Sequence, residues 1–242
     1  MKFKAIAAAA VFSIASPCFA ANDIDNIQNL VQTEFKSFSQ DLGAALSYKA
    51  VSPAEPMGLT GFDIGLEVTG TELNHSDIWD KASSGSAPST VPIPKLHVIK
   101  GLPFNIDVGA IYTKVPSTNI SLFGGELRYA FLEGGVATPA VAIRGTFTKL
   151  SGVDQLDLST KGLELTASKG FAILTPYAGI GQVWVDSKPQ SSAATAGLKD
   201  ESFQQTKYFV GTNINFGLLN IDLDYDNTDS TNSYTVKLGW RF

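Results

Sequence analysis

The chain has 242 residues, with 18 Lys+Arg against 23 Asp+Glu and a formal net charge of −5. That acidic balance, with no basic stripe anywhere, excludes nucleic acid as a partner. One cysteine, Cys18, leaves no disulfide framework and no cysteine-based metal site, and no stretch after the first twenty residues reaches the ~18 continuous apolar residues of a spanning helix.

The first twenty residues, "MKFKAIAAAAVFSIASPCFA", place Lys2 and Lys4 ahead of an uncharged apolar run that ends on small residues. This is the layout of a secretory signal peptide cleaved after Ala20. Pro17 and Ala15 do not suit lipid attachment at Cys18, so ordinary cleavage is expected. It removes two lysines and no acidic residue, leaving a net charge of roughly −7.

Residues 21–57 form a lead-in. Ile24, Ile27, Leu30, Val31, Phe35, Phe38 and Leu42 recur at near-helical spacing, which predicts an amphipathic helix over about residues 22–40, capped by Asn22 or Asp23. Residues 43–50 read as a short extended piece, and Pro53 and Pro56 break regular structure after it.

From residue 58 to 242 the periodicity is two. Phe62, Ile64, Leu66 and Val68 alternate with Asp63, Gly65, Glu67 and Thr69, and the pattern recurs in segment after segment. Ten strands are predicted, near 60–71, 91–100, 104–114, 119–132, 137–150, 157–169, 172–187, 203–216, 218–228 and 231–242. Residues 43–50 are either a lumen or rim segment or one of an unresolved pair, which would make twelve. "ILTPYAGIGQVWV" is apolar on both faces and reads as the site of a bulge or a register change. Short links alternate with longer, more polar ones, and the segments exceed the usual five or six residues of soluble strands. Both features favour a closed antiparallel transmembrane β-barrel over a soluble sandwich, and its even strand number lets it close.

The last strand, "YTVKLGWRF", sets Tyr234, Val236, Leu238, Trp240 and Phe242 on one face. It resembles the C-terminal β-signal of Gram-negative outer-membrane proteins, an aromatic last residue preceded by alternating apolar positions. The resemblance implies an outer-membrane barrel delivered by the barrel-assembly machinery, with lipid as its surroundings.

On this parity the inward face carries Asp63, Glu67, Lys95, Asp107, Glu126, Arg128, Arg144, Glu164, Asp222, Asp224, Lys237 and Arg241. Glu126, Arg128 and Arg144 on adjacent strands predict an ion-pair network. Such a network either compensates buried charge or tunes the passage of small polar or neutral solutes. Gly65, Gly109, Gly124, Gly211 and Gly239 also point inward, and glycine in a strand can mark close approach by another backbone. They are read as room for the amino-terminal helix as a plug, with a rim or membrane-surface position as the other placement. His75, beside Ser76, Asp77 and Asp80, reads as loop polarity rather than as a base or metal ligand, and His97 as a hydrogen-bonded lumen residue. No nucleophile or phosphate-loop motif appears, and no cofactor is called for. Two functions follow: a small-solute, porin-like channel gated or plugged by its helix, or a structural or surface-interaction barrel with a closed, ion-paired lumen.

Overall fold

A computed structural model describes residues 24, 26–83, 89–115 and 120–242; the signal segment 1–20 and the cap candidates Asn22 and Asp23 lie outside them. The ten strands are β1 (Phe62–Glu72), β2 (Thr90–Leu102), β3 (Ile106–Lys114), β4 (Ser121–Glu133), β5 (Ala140–Ser151), β6 (Leu156–Ser168), β7 (Leu174–Pro189), β8 (Glu201–Phe216), β9 (Leu219–Thr228) and β10 (Thr231–Arg241). Each pairs antiparallel with its sequence neighbours, and β1 pairs with β10 to close the ring. The seam runs from Asp63↔Arg241 to Thr71↔Ser233. Phe62 and Phe242 lock its lower end by exchanging backbone hydrogen bonds of 2.7 and 2.9 Å. Closure leaves no unpaired strand edge, which a lipid environment demands.

Alternation sorts the two faces as the sequence predicts. Leu66, Leu96, Phe123, Leu165, Val210 and Leu238 are exposed on the outside, while Asp63, Glu67, Arg128 and Glu164 are buried within. A continuous apolar belt of this kind far exceeds the few hundred Å² that a water-soluble monomer tolerates, so the strands span a membrane. Among the described residues no helix is long and apolar enough to do so.

One irregularity is displaced from its expected position. β7 pairs with β6 and β8 without a register shift; the bulge lies in β4, between Ala130 and Leu132. The apolar residues on the second face of β7, Val183 and Val185, turn inward and join a buried cluster with the amino-terminal helix. The doubled apolar pattern therefore marks a strand that meets lipid on one side and protein on the other.

The links at the end where β1 begins are 103–105, 134–139, 169–173 and 217–218; those at the other end are 73–89, 115–120, 152–155, 190–200 and 229–230. The two longest lie together, although 229–230 is a tight turn. The 73–89 end is termed the outer one, after the loop-length asymmetry of outer-membrane barrels, which keep their short turns on the periplasmic side. Phe104, expected to start β3, instead sits in the 103–105 turn with φ of 65° beside Asn105 at 59°.

The amino-terminal helix α1 runs Gln32–Leu46 after a 3-10 turn at Ile27–Asn29. It thus starts and ends later than the 22–40 read from periodicity, and residues 43–46, expected to be extended, are its last turn. In place of a side-chain N-cap, Glu34 reaches back to accept from the Val31 backbone N–H at 3.2 Å. Two short helices fold within the long outer links: α2 (Ser76–Ala82) and α3 (Ser191–Thr195).

Candidate functional site: a plugged lumen

Helix α1 lies inside the barrel. Phe35, Phe38, Leu42, Ala45 and Leu46 pack with inward residues of six strands, β2 to β7, among them Val91, Ile111, Leu122, Leu150, Leu158 and Val185. The wall is apolar where the helix touches it and polar below, so the lumen is a small protein core at its outer end. Gly43 sets the closeness of the approach: a Cβ there would sit 2.7 Å from Val185 Cγ2. The lumen glycines do not play this part. At Gly65, Gly109, Gly124, Gly211 and Gly239 the nearest atoms belong to wall residues such as Lys237, Glu126, Ile111, Tyr177 and Asn220. Those glycines make room for long wall side chains to fold across the barrel, and the close-approach glycine is on the plug itself.

The helix is fastened by the outer links both at its first turn and further along, at Asp41. Asp41, fully buried, accepts from the His75 backbone N–H at 3.0 Å, from His75 Nδ1 at 3.1 Å and from Trp79 Nε1 at 3.2 Å, all from the region of α2. Glu34 pairs with Lys81; this contact holds the Glu34 carboxyl below its ordinary pKa and the Lys81 ammonium above its own. Gln32 exchanges hydrogen bonds with Lys199 and donates to Glu201 at 2.5 Å. His75 is thus half-exposed but committed to the plug.

Below the helix, residues 47–57 descend through the lumen, bonded to the wall throughout. Lys49 sits 3.0 Å from Asp226 and donates to Ser233 Oγ and to the Ala44 carbonyl, both at 3.0 Å. The Tyr48 carbonyl accepts from Lys207 at 2.6 Å. The Tyr48 hydroxyl lies 2.9 Å from His97 Nε2, and His97 Nδ1 lies 3.0 Å from Glu67, which also pairs with Lys95 at 2.5 Å. A carboxylate only accepts, so Nδ1–H donates to Glu67 and fixes the ring with Nε2 toward the Tyr48 hydroxyl. Ser52 Oγ receives both buried guanidiniums, Arg128 at 2.7 Å and Arg144 at 3.1 Å. Further down, the Ala54 N–H donates to Ser168 and the Met57 N–H to Asp107, each at 3.0 Å.

The wall charges pair as the adjacent-strand spacing predicts. Arg128 is held by Asp107 at 2.7 Å, and Arg144 bridges Glu126 at 3.0 Å and Glu164 at 3.2 Å. Lys237 bridges Asp63 and Asp222, each at 3.1 Å, and Asp63 also takes Arg241 at 2.8 Å. Asp224 is buried opposite Gly211, over which the Tyr177 ring lies. Arg241 alone of the twelve is partly exposed, at the inner mouth. There a pocket of about 330 Å³ opens between residues 52–57 and the wall, with Asn213, Arg128 and Arg241 among its lining.

Four buried charges inside the barrel escaped the sequence reading, Asp41 of the plug helix among them. Lys207 and Asp226 lie on the inward parity of β8 and β9, beside outward Tyr208 and Tyr225, and could have been found there. Lys49 belongs to the plug, and no periodicity announces its partner. Among the described residues no group of three or more His, Cys, Asp or Glu is placed to hold a metal ion.

No family model matches the chain, and no curated protein matches it in sequence. Solved structures similar to it are outer-membrane barrels. The β domain of the Bordetella autotransporter BrkA has a TM-score of 0.45 at 11% identity, covering 75% of this chain and 98% of that one. The N-terminal β-barrel domain of Pseudomonas aeruginosa OprF has a TM-score of 0.37 at 12% identity, covering 76% and 99%. Ail, the attachment invasion locus protein of Yersinia pestis, has a TM-score of 0.29 at 15% identity, covering 75% and 97%.

Proposed function

We propose that this chain is an outer-membrane barrel that is sealed at rest and works through its outer face, as a structural or surface-interaction protein rather than as an open pore. One observation carries the reading: fourteen consecutive residues, Asp41–Ala54, are buried within a closed ring of ten strands. A pore needs water along its axis; here the axis holds backbone, and its polar groups are spent on wall side chains. Export through a cleaved signal and insertion by the assembly machinery belong to the same proposal. A non-enzymatic role is supported by the two histidines, since His97 is engaged by Glu67 and Tyr48, and His75 by Asp41.

A second reading has its own support. The inner wall carries charges of both signs, which would line an aqueous path for small polar or neutral solutes if the plug moved aside. Planar-bilayer recording of the purified chain separates the two. The sealed reading expects silence from the unaltered chain and from Lys49→Glu, which sets the plug against Asp226. Steps in that variant alone would favour the gated channel, and regular steps in the unaltered chain would overturn the sealed reading.

A further inference from the structure

We infer that the chain threads its own barrel from outside to inside, so that Asn26 and the Ile27–Asn29 turn are presented at the outer surface of the cell. The inference does not depend on whether the barrel conducts. It follows from two ends of one path. At the upper end, the Asn26 N–H donates to the Ala82 carbonyl at 3.1 Å, and Gln32 exchanges hydrogen bonds with Lys199; Ala82 and Lys199 belong to the two longest links. At the lower end, residues 54 and 57 bond Ser168 and Asp107, which lie at the short-turn ends of β6 and β3. The chain then enters β1, whose first residue lies beside Phe242 on that same side.

The sides follow from loop lengths, since outer-membrane barrels place short turns in the periplasm. The two termini of the described chain therefore lie on opposite faces of the membrane, although β1 and β10 start and finish on the same one. The upper end is built as a platform: the Ile27–Asn29 turn packs against both α2 and α3, with Ile27 fully buried and Asn29 exposed. Such a platform fixes where the amino-terminal segment leaves the barrel. It also sets that turn beside the helices of links 73–89 and 190–200.

Cysteine labelling tests the topology, because the chain's one native cysteine, Cys18, lies in the segment expected to be cleaved. The exposed residues Asn29 and Thr33 on the plug and Ala137 in a short turn are changed singly to cysteine, and intact cells are treated with a maleimide on a polymer too large for porins. Exclusion of the label from periplasmic proteins reports an intact membrane. Asn29→Cys and Thr33→Cys are expected to be labelled in intact cells, and Ala137→Cys only after the outer membrane is opened. Two plug positions are used so that one poorly assembled variant does not decide the outcome. Protection of both until the membrane is opened would overturn the threading, and labelling of Ala137→Cys in intact cells would overturn the orientation.

Discussion

Replacing Arg144 by methionine separates a sealed, ion-paired lumen from a merely crowded one. Arg144 is fully buried and is the ion-pair partner of Glu126, whose carboxylate has no hydrogen bond elsewhere; Glu164, its other partner, keeps Lys207 at 2.8 Å. Ser52 keeps Arg128. Arg144→Met therefore strands one carboxylate, Glu126, in a buried site, and breaking a buried pair from one side costs about 3–5 kcal/mol. Adding Glu126→Gln removes the stranded charge, so the double variant should recover most of that loss. The assay is urea unfolding in lipid vesicles, followed by tryptophan fluorescence and by heat-modifiable migration on gels. A loss below about 1 kcal/mol for Arg144→Met, or an equally unstable double variant, would refute the reasoning, because a hydrated lumen would screen Glu126 without its partner.

The remaining predictions bear on the plug and the seam. Gly43→Ala pushes a methyl into Val185 and should cost about 1–3 kcal/mol from overpacking, against a gain of up to about 1 kcal/mol in helix propensity; Val185→Ala in the same chain should return most of the loss in the same urea titration. Phe38→Ala removes a fully buried ring whose centroid lies 4.6 Å from that of Trp79; it should cost about 3–5 kcal/mol and expose link 73–89 to protease nicking. The depressed Glu34 carboxyl gives its pair with Lys81 a definite pH dependence: the contribution is whole above the unfolded value near 4.5 and is lost as pH falls through the lower folded value. Protease nicking of link 73–89 should therefore accelerate at low pH, and Glu34→Gln should flatten that part of the profile. Deleting Phe242 removes the backbone exchange with Phe62 and the ring contact at 5.4 Å, so less heat-modifiable barrel should accumulate in outer-membrane fractions.

The wall was legible because strand parity is a strict code once one face must be apolar. Asp63, Glu67, Asp107, Arg128, Arg144 and Glu164 could be assigned inward from their neighbours alone; strand adjacency pointed to the pair of Glu126 with Arg144, whereas Arg128, expected in that same network, is held by Asp107. The plug was less legible, for two physical reasons. Gly43, Ala44 and Ala45 are too small to carry an amphipathic pattern, although alanine favours helix; they let α1 lie close to β7, so the periodicity fades where the packing requires the helix to continue. Asp41 falls on the polar stripe of an amphipathic helix, where solvent is the natural expectation; it is buried because the distant pair His75 and Trp79 supplies its donors. The double apolar face of residues 174–186 carried the missing information. An apolar stripe on both faces of one strand marks lipid on the outside and a hydrophobic partner inside the barrel.

A cysteine pair tests the lumen plug most directly. Ser39 on α1 and Ser187 on β7 are both buried, with hydroxyl oxygens 2.8 Å apart. Ser39→Cys together with Ser187→Cys should form a disulfide as the barrel assembles, seen as loss of alkylatable thiol and as one cross-linked peptide joining the two positions after proteolysis. Two free, fully alkylated thiols in the membrane-inserted barrel would place the helix elsewhere and contradict the account.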